Sequence, residues 1–271
     1  KVPVLVLTRA DGTSLYPLRD IAYAIEMTDK GTYIVVLGED QKLYNQQINS
    51  ALKELKIFQR KPVFYSFVLL QEGKMSTRKG NFVLLEDFMK ESVSKASEEL
   101  KKRYNKIDEK SAKTIAYGAI KYSILRVSPE KNVIFDWQQA LSFEGETAPY
   151  IQYAYARISS ILKKHETHEK NLNKSFRADL MPLKEKEETE LIKLLSNFPE
   201  LVTKATNDLS PHLIATYLYS IAQKFNEYYH IHQILKAEEK IRDARIFLIS
   251  AVKQVIKNGL NLLGINVLER M

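Results

Sequence analysis

Along the first quarter of the chain, apolar residues come in short continuous runs bounded by turn residues, a pattern that predicts strands alternating with helices. Val4-Leu5-Val6-Leu7 reads as a buried strand within 1–8, Asp11-Gly12 centres a turn over 9–14, and 18–27 carries apolar residues at helical spacing. Tyr16 and Asp20 share a helical face if that helix starts early. Pro17 permits this, because a first-turn proline lacks only an N–H that would have no helical partner anyway. Tyr33-Ile34-Val35-Val36-Leu37 is a second strand closing in Gly38-Glu39-Asp40-Gln41, 43–55 is a helix, and 63–70 is a third strand. Strand, glycine turn and helix in succession build a parallel sheet. Ligands of such sheets sit beyond the carboxyl ends of the strands, where Asp11, Asp40 and the stretch after residue 70 fall.

From Glu86 onward strand signals stop, and apolar residues recur at three- and four-residue spacing over 86–104, 111–126, 149–165, 187–206, 210–230 and 237–263. Asp208 or Ser210, before Pro211, is the expected cap of the fifth of these helices. The polar, lysine-rich region 167–186 reads as a loop between helices. The expected fold is therefore α/β followed by all-α. About three strands are too few to close a doubly wound domain on both faces, so the chain is expected to be the C-terminal part of a longer protein.

At 45% hydrophobic residues in 271, the chain can bury one large or two ordinary cores. It contains no cysteine, which excludes a disulfide framework and a cysteine zinc site and fits a reducing compartment. No apolar run reaches membrane-spanning length, so the cytoplasm is the expected location. A net charge of +8 and a pI near 9.3 favour a polyanionic partner, and 15 tyrosines with 11 phenylalanines supply faces on which unstacked RNA bases settle.

The chemistry concentrates in Gly73-Lys74-Met75-Ser76-Thr77-Arg78-Lys79-Gly80-Asn81. Cations and hydroxyls bracketed by glycines, whose backbone can turn N–H groups inward, suit a polyphosphate. It is not a P-loop, because Val68 stands where that motif needs its first glycine. Lys-Met-Ser followed by Thr-Arg-Lys-Gly-Asn resembles the KMSKS signature of class I aminoacyl-tRNA synthetases, in the form typical of arginyl-tRNA synthetases. The resemblance extends to Asp11-Gly12-Thr13 with Tyr16 and Leu18-Arg19-Asp20, to Phe135-Asp136-Trp137 before Ser142-Phe143-Glu144-Gly145, to 149–157, and to the ending from Asn258-Gly259-Leu260 through Glu269-Arg270-Met271.

That resemblance implies ATP-dependent activation of L-arginine and its transfer to tRNA(Arg), by a partial Rossmann-like catalytic domain over 1–140 and a helical anticodon-binding domain over 141–271. It places Lys74 on the triphosphate, Met75 and Ser76 beside the adenine with Ser76 as a catalytic-loop residue, and Gly38 and Asp40 at the nucleotide. Tyr16, Asp20 and Asp40 are assigned to substrate arginine, and Tyr150, Arg157, Tyr229 and Met271 to the anticodon loop. The implied cofactors are ATP and the Mg2+ that accompanies it, with no protein-held metal and no membrane partner. A monomer is expected. The HIGH-type signature lies outside this sequence, and Thr77 replaces the second lysine of the loop, so the chain alone is expected to be catalytically incomplete.

Two other readings compete: a non-catalytic tRNA-binding module that keeps the fold without the reaction, and a class I synthetase for another amino acid, which Tyr16 and Asp20 together disfavour. Without the resemblance, Tyr16 would be a core aromatic, Asp20 a surface carboxylate, and Tyr150, Tyr153 and Arg157 a core stripe that its arginine contradicts. His165 and His168 read as a solvated polar stretch, His230 and His232 as helix-end residues, and Asn173-Lys174-Ser175 as a sequon relevant only to a secreted protein. By position, the last residues should fray.

Overall fold

The computed structural model describes residues 3–70, 84–103, 108–168 and 179–271. Two compact units emerge, one of Lys1–Phe67 with Pro129–Val133 and the other of Val68–Ser128 with Ile134–Met271.

In the first unit, α1 (Tyr16–Met27), β1 (Ile34–Gly38), α2 (Lys42–Glu54) and β2 (Lys61–Tyr65) alternate in sequence. The strands pair in parallel, from Ile34 opposite Lys61 to Gly38 opposite Tyr65. Helical spacing puts Ile21 and Ala24 of α1 on one face and Ile48 and Leu52 of α2 on another, and these four buried residues form the core with Leu5, Tyr33, Tyr44, Ala51 and Ile57 packed against them. Pro17 occupies the first turn of α1, which starts at Tyr16 as its tolerance there allows.

Three expectations change. The run 4–7 is not a strand: Val4 is 90% and Val6 58% exposed. An apolar run becomes a strand only where a neighbour takes up its backbone groups, and here the Leu7 carbonyl accepts from Leu15 N at 2.8 Å while Gln47 Nε2 donates to the Pro3 and Val4 carbonyls. The third run is split into β2 and β3 (Val68–Leu70), because Ser66 N turns to the Pro129 carbonyl and Phe67 N to Asn132 Oδ1. A strand absent from the periodicity, β4 (Val133–Phe135), pairs with β3; at three residues it is too short to show alternation.

In the second unit follow α3 (Leu85–Arg103), α4 (Glu109–Leu125), α5 (Trp137–Ala140), α6 (Ala148–His168), α7 (Lys186–Asn207), α8 (His212–Ile231) and α9 (Glu239–Leu262). Their starts are specified locally. Asp108 accepts from Lys110 N and Ser111 N, Asp136 from Gln139 N, and Glu185 and Glu188 form a reciprocal capping box on α7. At the α7–α8 junction, however, Asp208 closes α7, Leu209 takes a left-handed φ of 50°, and α8 begins after Pro211 without a side-chain cap. The proline's fixed φ already suits a helix start, so the expected Asp208 or Ser210 cap is dispensable. Helix α6 runs on to His168, leaving 179–185 as the described part of the connection to α7.

The main core joins α6, α8 and α9 through Ile151, Tyr155, Ile158, Leu218, Ile221, Phe225, Ile249, Val252 and Ile256, all at most 1% exposed. Helices α8 and α9 approach closely at Gly259, where a Cβ would stand 2.6 Å from Leu218 Cδ2. A second cluster gathers Ala112, Ile115, Ala116, Phe135, Leu141 and Phe143, with Tyr153 and Met271 packed on it. Buried Glu188 receives Arg245 Nε at 2.8 Å and Glu185 N at 3.1 Å, so α7 and α9 are tied by a paired rather than an isolated charge.

Candidate functional site

In the first unit the chemistry gathers around Asp20. Because α1 begins at Tyr16, Tyr16 and Asp20 lie one turn apart on one face, as their spacing predicts. The first turn of α2 brings in Tyr44, whose ring lies 6.0 Å from that of Tyr16 and whose hydroxyl donates to Asp20 Oδ2 at 3.1 Å. Arg60, just before β2, donates through Nη1 to the same oxygen at 3.1 Å. Among the described residues both hydrogen bonds of this carboxylate fall on Oδ2. Its side chain is 25% exposed, whereas that of Arg60 is 3% exposed. Burial raises the Tyr44 phenol, and the adjoining Asp20 charge and hydrogen bond raise it further, so this hydroxyl stays a donor throughout the neutral range. Tyr33 is likewise raised by burial, while the nearby Arg60 charge pulls it down. Tyr16 is 69% exposed, which rejects the core-aromatic reading.

Gly38 ends β1 and Asp40 follows in a single 3-10 turn, beyond the strand's carboxyl end as the sequence predicts. The Asp40 carboxylate is exposed and accepts from its neighbour Gln41 at 3.2 Å. Asp11 does not follow a strand. It holds the 9–14 turn, accepting from Thr13 N at 2.9 Å and Thr13 Oγ1 at 2.6 Å, and those bonds keep its carboxyl below the usual carboxylate range. Lys74, Met75 and Ser76 lie outside the described residues, as does the rest of the loop from Gly73 to Asn81.

In the second unit, Arg157 of α6 is the centre. Its guanidinium carbon lies 4.6 Å from the Tyr153 ring centroid and 5.1 Å from that of Tyr229 on α8, and Nη1 donates to Asn226 Oδ1 at 2.7 Å. The three- and four-residue spacings of both helices produce this planar cation between two aromatic rings. Tyr229 is 39% exposed. Tyr150 goes elsewhere, tilting against Tyr219 at 5.6 Å and packing on the bundle core. Met271 packs on the same cluster as Tyr153.

The chain end is anchored rather than frayed. Gln152 Nε2 donates to the Asn266 carbonyl at 2.8 Å, and Glu269 accepts from Tyr155 at 2.8 Å and Lys253 at 3.0 Å. Burial pushes the Glu269 carboxyl up, but the bonds from Tyr155 and Lys253 outweigh it and hold it below the usual range.

His165 is buried at 6% exposure on α6, correcting its reading as solvated; His230 and His232 do stand at the end of α8. Asn173-Lys174-Ser175 lies outside the described residues. Glu185, Glu187 and His232 bring ligand atoms within 4.8 Å of one another, but Glu185 caps α7 and Glu187 pairs with His232 at 3.1 Å, so these groups close a helix end. Tyr44, Arg60 and Asn226 escaped the sequence reading, since each meets its partner across a separation that no local period spans. No helix among the described residues is long and apolar enough to cross a membrane.

Residues 1–137 match the family described as tRNA synthetases class I (R), catalytic domain, and residues 151–271 match the DALR anticodon binding domain. An arginine–tRNA ligase of Methanocella arvoryzae is 43% identical, over 98% of this chain and 47% of its own length. One from Clostridium kluyveri is 39% identical, over 100% of this chain and 49% of its own. The solved arginyl-tRNA synthetase of Thermus thermophilus is similar with a TM-score of 0.84 and 27% identity, over 98% of this chain and 51% of that one. The chain thus spans about half the length of these relatives, at 47%, 49% and 51%.

Proposed function

The chain belongs to the class I arginyl-tRNA synthetase family, and from that membership we propose that it carries the arginine-recognising, nucleotide-clamping and anticodon-binding parts of an enzyme that charges tRNA(Arg) in the cytoplasm. In this reading 1–140 belong to the catalytic domain, 141–271 form the anticodon-binding domain, and the working enzyme is a monomer. The observation that carries it is the carboxylate of Asp20, which sits one helical turn from Tyr16, is 25% exposed and, among the described residues, takes its hydrogen bonds on Oδ2 alone. Five N–H donors make a guanidinium costly to bury without acceptors, and a fixed carboxylate is its best partner.

An arginine carboxylate oxygen attacks the α-phosphorus of ATP, the bond to the bridging oxygen breaks, and pyrophosphate leaves with its charge. Mg2+ enters as part of this nucleotide substrate. Lys74 supplies positive charge where the pyrophosphate departs, Met75 and Ser76 border the adenine, and Gly38 and Asp40 line the nucleotide's approach, with Asp40 also facing the substrate arginine. A terminal ribose hydroxyl of the tRNA then attacks the arginyl carbonyl and releases AMP. Tyr150, Arg157, Tyr229 and Met271 hold anticodon-loop bases through stacking and a planar cation.

The test is Lys74→Ala. Arginyl-adenylate formation by the complete enzyme should slow ~10²-fold or more while tRNA affinity is retained, because this charge acts in the transition state. Equal losses in both assays sink the role of Lys74. If the parent chain binds tRNA but neither arginine nor ATP, it is a tRNA-binding module.

A further inference from the structure

Three facts about the Asp20 carboxylate combine. Tyr44 and Arg60 both donate to Oδ2, each at 3.1 Å, and among the described residues nothing donates to Oδ1. Arg60 is nearly inaccessible, at 4% exposure, and among the described residues its Nε and Nη2 are buried without a hydrogen-bond partner of good geometry, beyond a looser polar contact with the Tyr33 hydroxyl. Asp20 itself stays open enough to meet a ligand, at 25% side-chain exposure.

A buried guanidinium with most of its donors unpaired is a poor way to stabilise a small α/β unit, because each unmade hydrogen bond costs free energy. Its geometry does something else. Two donors converging on one oxygen hold the carboxylate in a single orientation and leave its other oxygen as the accepting edge. A pair that is already neutral also attracts a further cation weakly, so recognition at Oδ1 depends on donor direction more than on charge.

We propose that Tyr44 and Arg60 are positioning residues of the arginine pocket: by occupying Oδ2 of Asp20 they fix the orientation of its carboxylate and present Oδ1 as the accepting edge for the substrate guanidinium. This rests on the assignment of Asp20 to substrate arginine.

Calorimetric or NMR titration of this chain with L-arginine tests the idea. Tyr44→Phe deletes one donor and keeps the ring that packs on the first core; Arg60→Met deletes the other with similar bulk. Asp20→Asn should weaken arginine binding at least tenfold. Tyr44→Phe should weaken it about threefold or more, and should have no further effect in the Asp20→Asn background, because it acts through that carboxylate. Arg60→Met should change arginine affinity at least threefold, and only where Asp20 is intact, because it too acts through that carboxylate. The Asp20 13Cγ resonance, read without ligand, should move in Tyr44→Phe. A Tyr44→Phe loss that persists undiminished in the Asp20→Asn background reveals a merely structural role and overturns the proposal. So does arginine binding that Asp20→Asn abolishes while Tyr44→Phe and Arg60→Met leave affinity untouched. Arginine binding indifferent to Asp20→Asn, or absent from the parent chain, overturns the pocket assignment and the proposal together.

Discussion

At Arg157 the surroundings decide what a guanidinium can do. Tyr153 and Tyr229 flank it at 4.6 and 5.1 Å and Asn226 fixes one of its edges, so the cation is held as a plate rather than as a waving charge. A plate can continue a stack of bases, which an ammonium cannot. Arg157→Ala should therefore weaken tRNA binding by about tenfold, within the range of one stacked base, and Arg157→Lys should restore less than half of the lost free energy. Fluorescence anisotropy at one fixed salt concentration measures both; full rescue by lysine would mean that the side chain contacts phosphate alone. Tyr153 and Arg157 were legible from spacing, because they share a stripe of α6. Asn226 was not, because an amide on another helix leaves no periodic trace.

Among the elements, α6 and α9 do more than fill the core. Tyr155 on one and Lys253 on the other both reach Glu269, and Gln152 holds the Asn266 carbonyl, so the last residues are part of the bundle. Removing Glu269, Arg270 and Met271 should lower the unfolding temperature as well as tRNA affinity, measured by thermal denaturation and anisotropy on the same preparation. The Glu269 carboxyl lies below its ordinary range, so its contribution is present above the unfolded-state value, about 4.3, and is lost as pH falls through the folded one. Stability should thus fall more steeply below pH 5 in the parent than in Glu269→Gln, and parallel curves would show the tail bonds to be idle. The long helices were readable because each has an amphipathic stripe, and β1 because its valines are bounded by a glycine. The run 4–7 misled for a physical reason: composition reports the wish to be buried, whereas a strand also needs a neighbour for its backbone. The short β4 failed the opposite test, having the neighbour and no pattern.

Across the whole molecule, buried phenols set an alkaline limit. Burial raises the pKa of Tyr122, Tyr217 and Tyr228, and burial together with Glu269 raises that of Tyr155. Each folded value lies above the unfolded one, so their stabilisation is complete below about pH 10 and is lost as pH climbs toward the folded values. The tyrosinate absorbance due to these four phenols, read as the difference between the parent and their single Tyr→Phe variants, should appear only together with loss of helical circular dichroism above pH 10; its appearance in an intact fold would refute the coupling. The first unit also has an unusual outline in sequence. Ser66 N bonds the Pro129 carbonyl, Ser66 Oγ shares the Asn132 amide with Phe67 N, and Val133 N returns to the Phe67 carbonyl. A ribosome adds about 5–20 residues each second and delivers the chain from its N-terminus. The end of β2 therefore emerges seconds before the segment that fastens it, and a translational pause between Phe67 and Pro129 lengthens the time in which its half-finished strand edge is offered to chaperones instead.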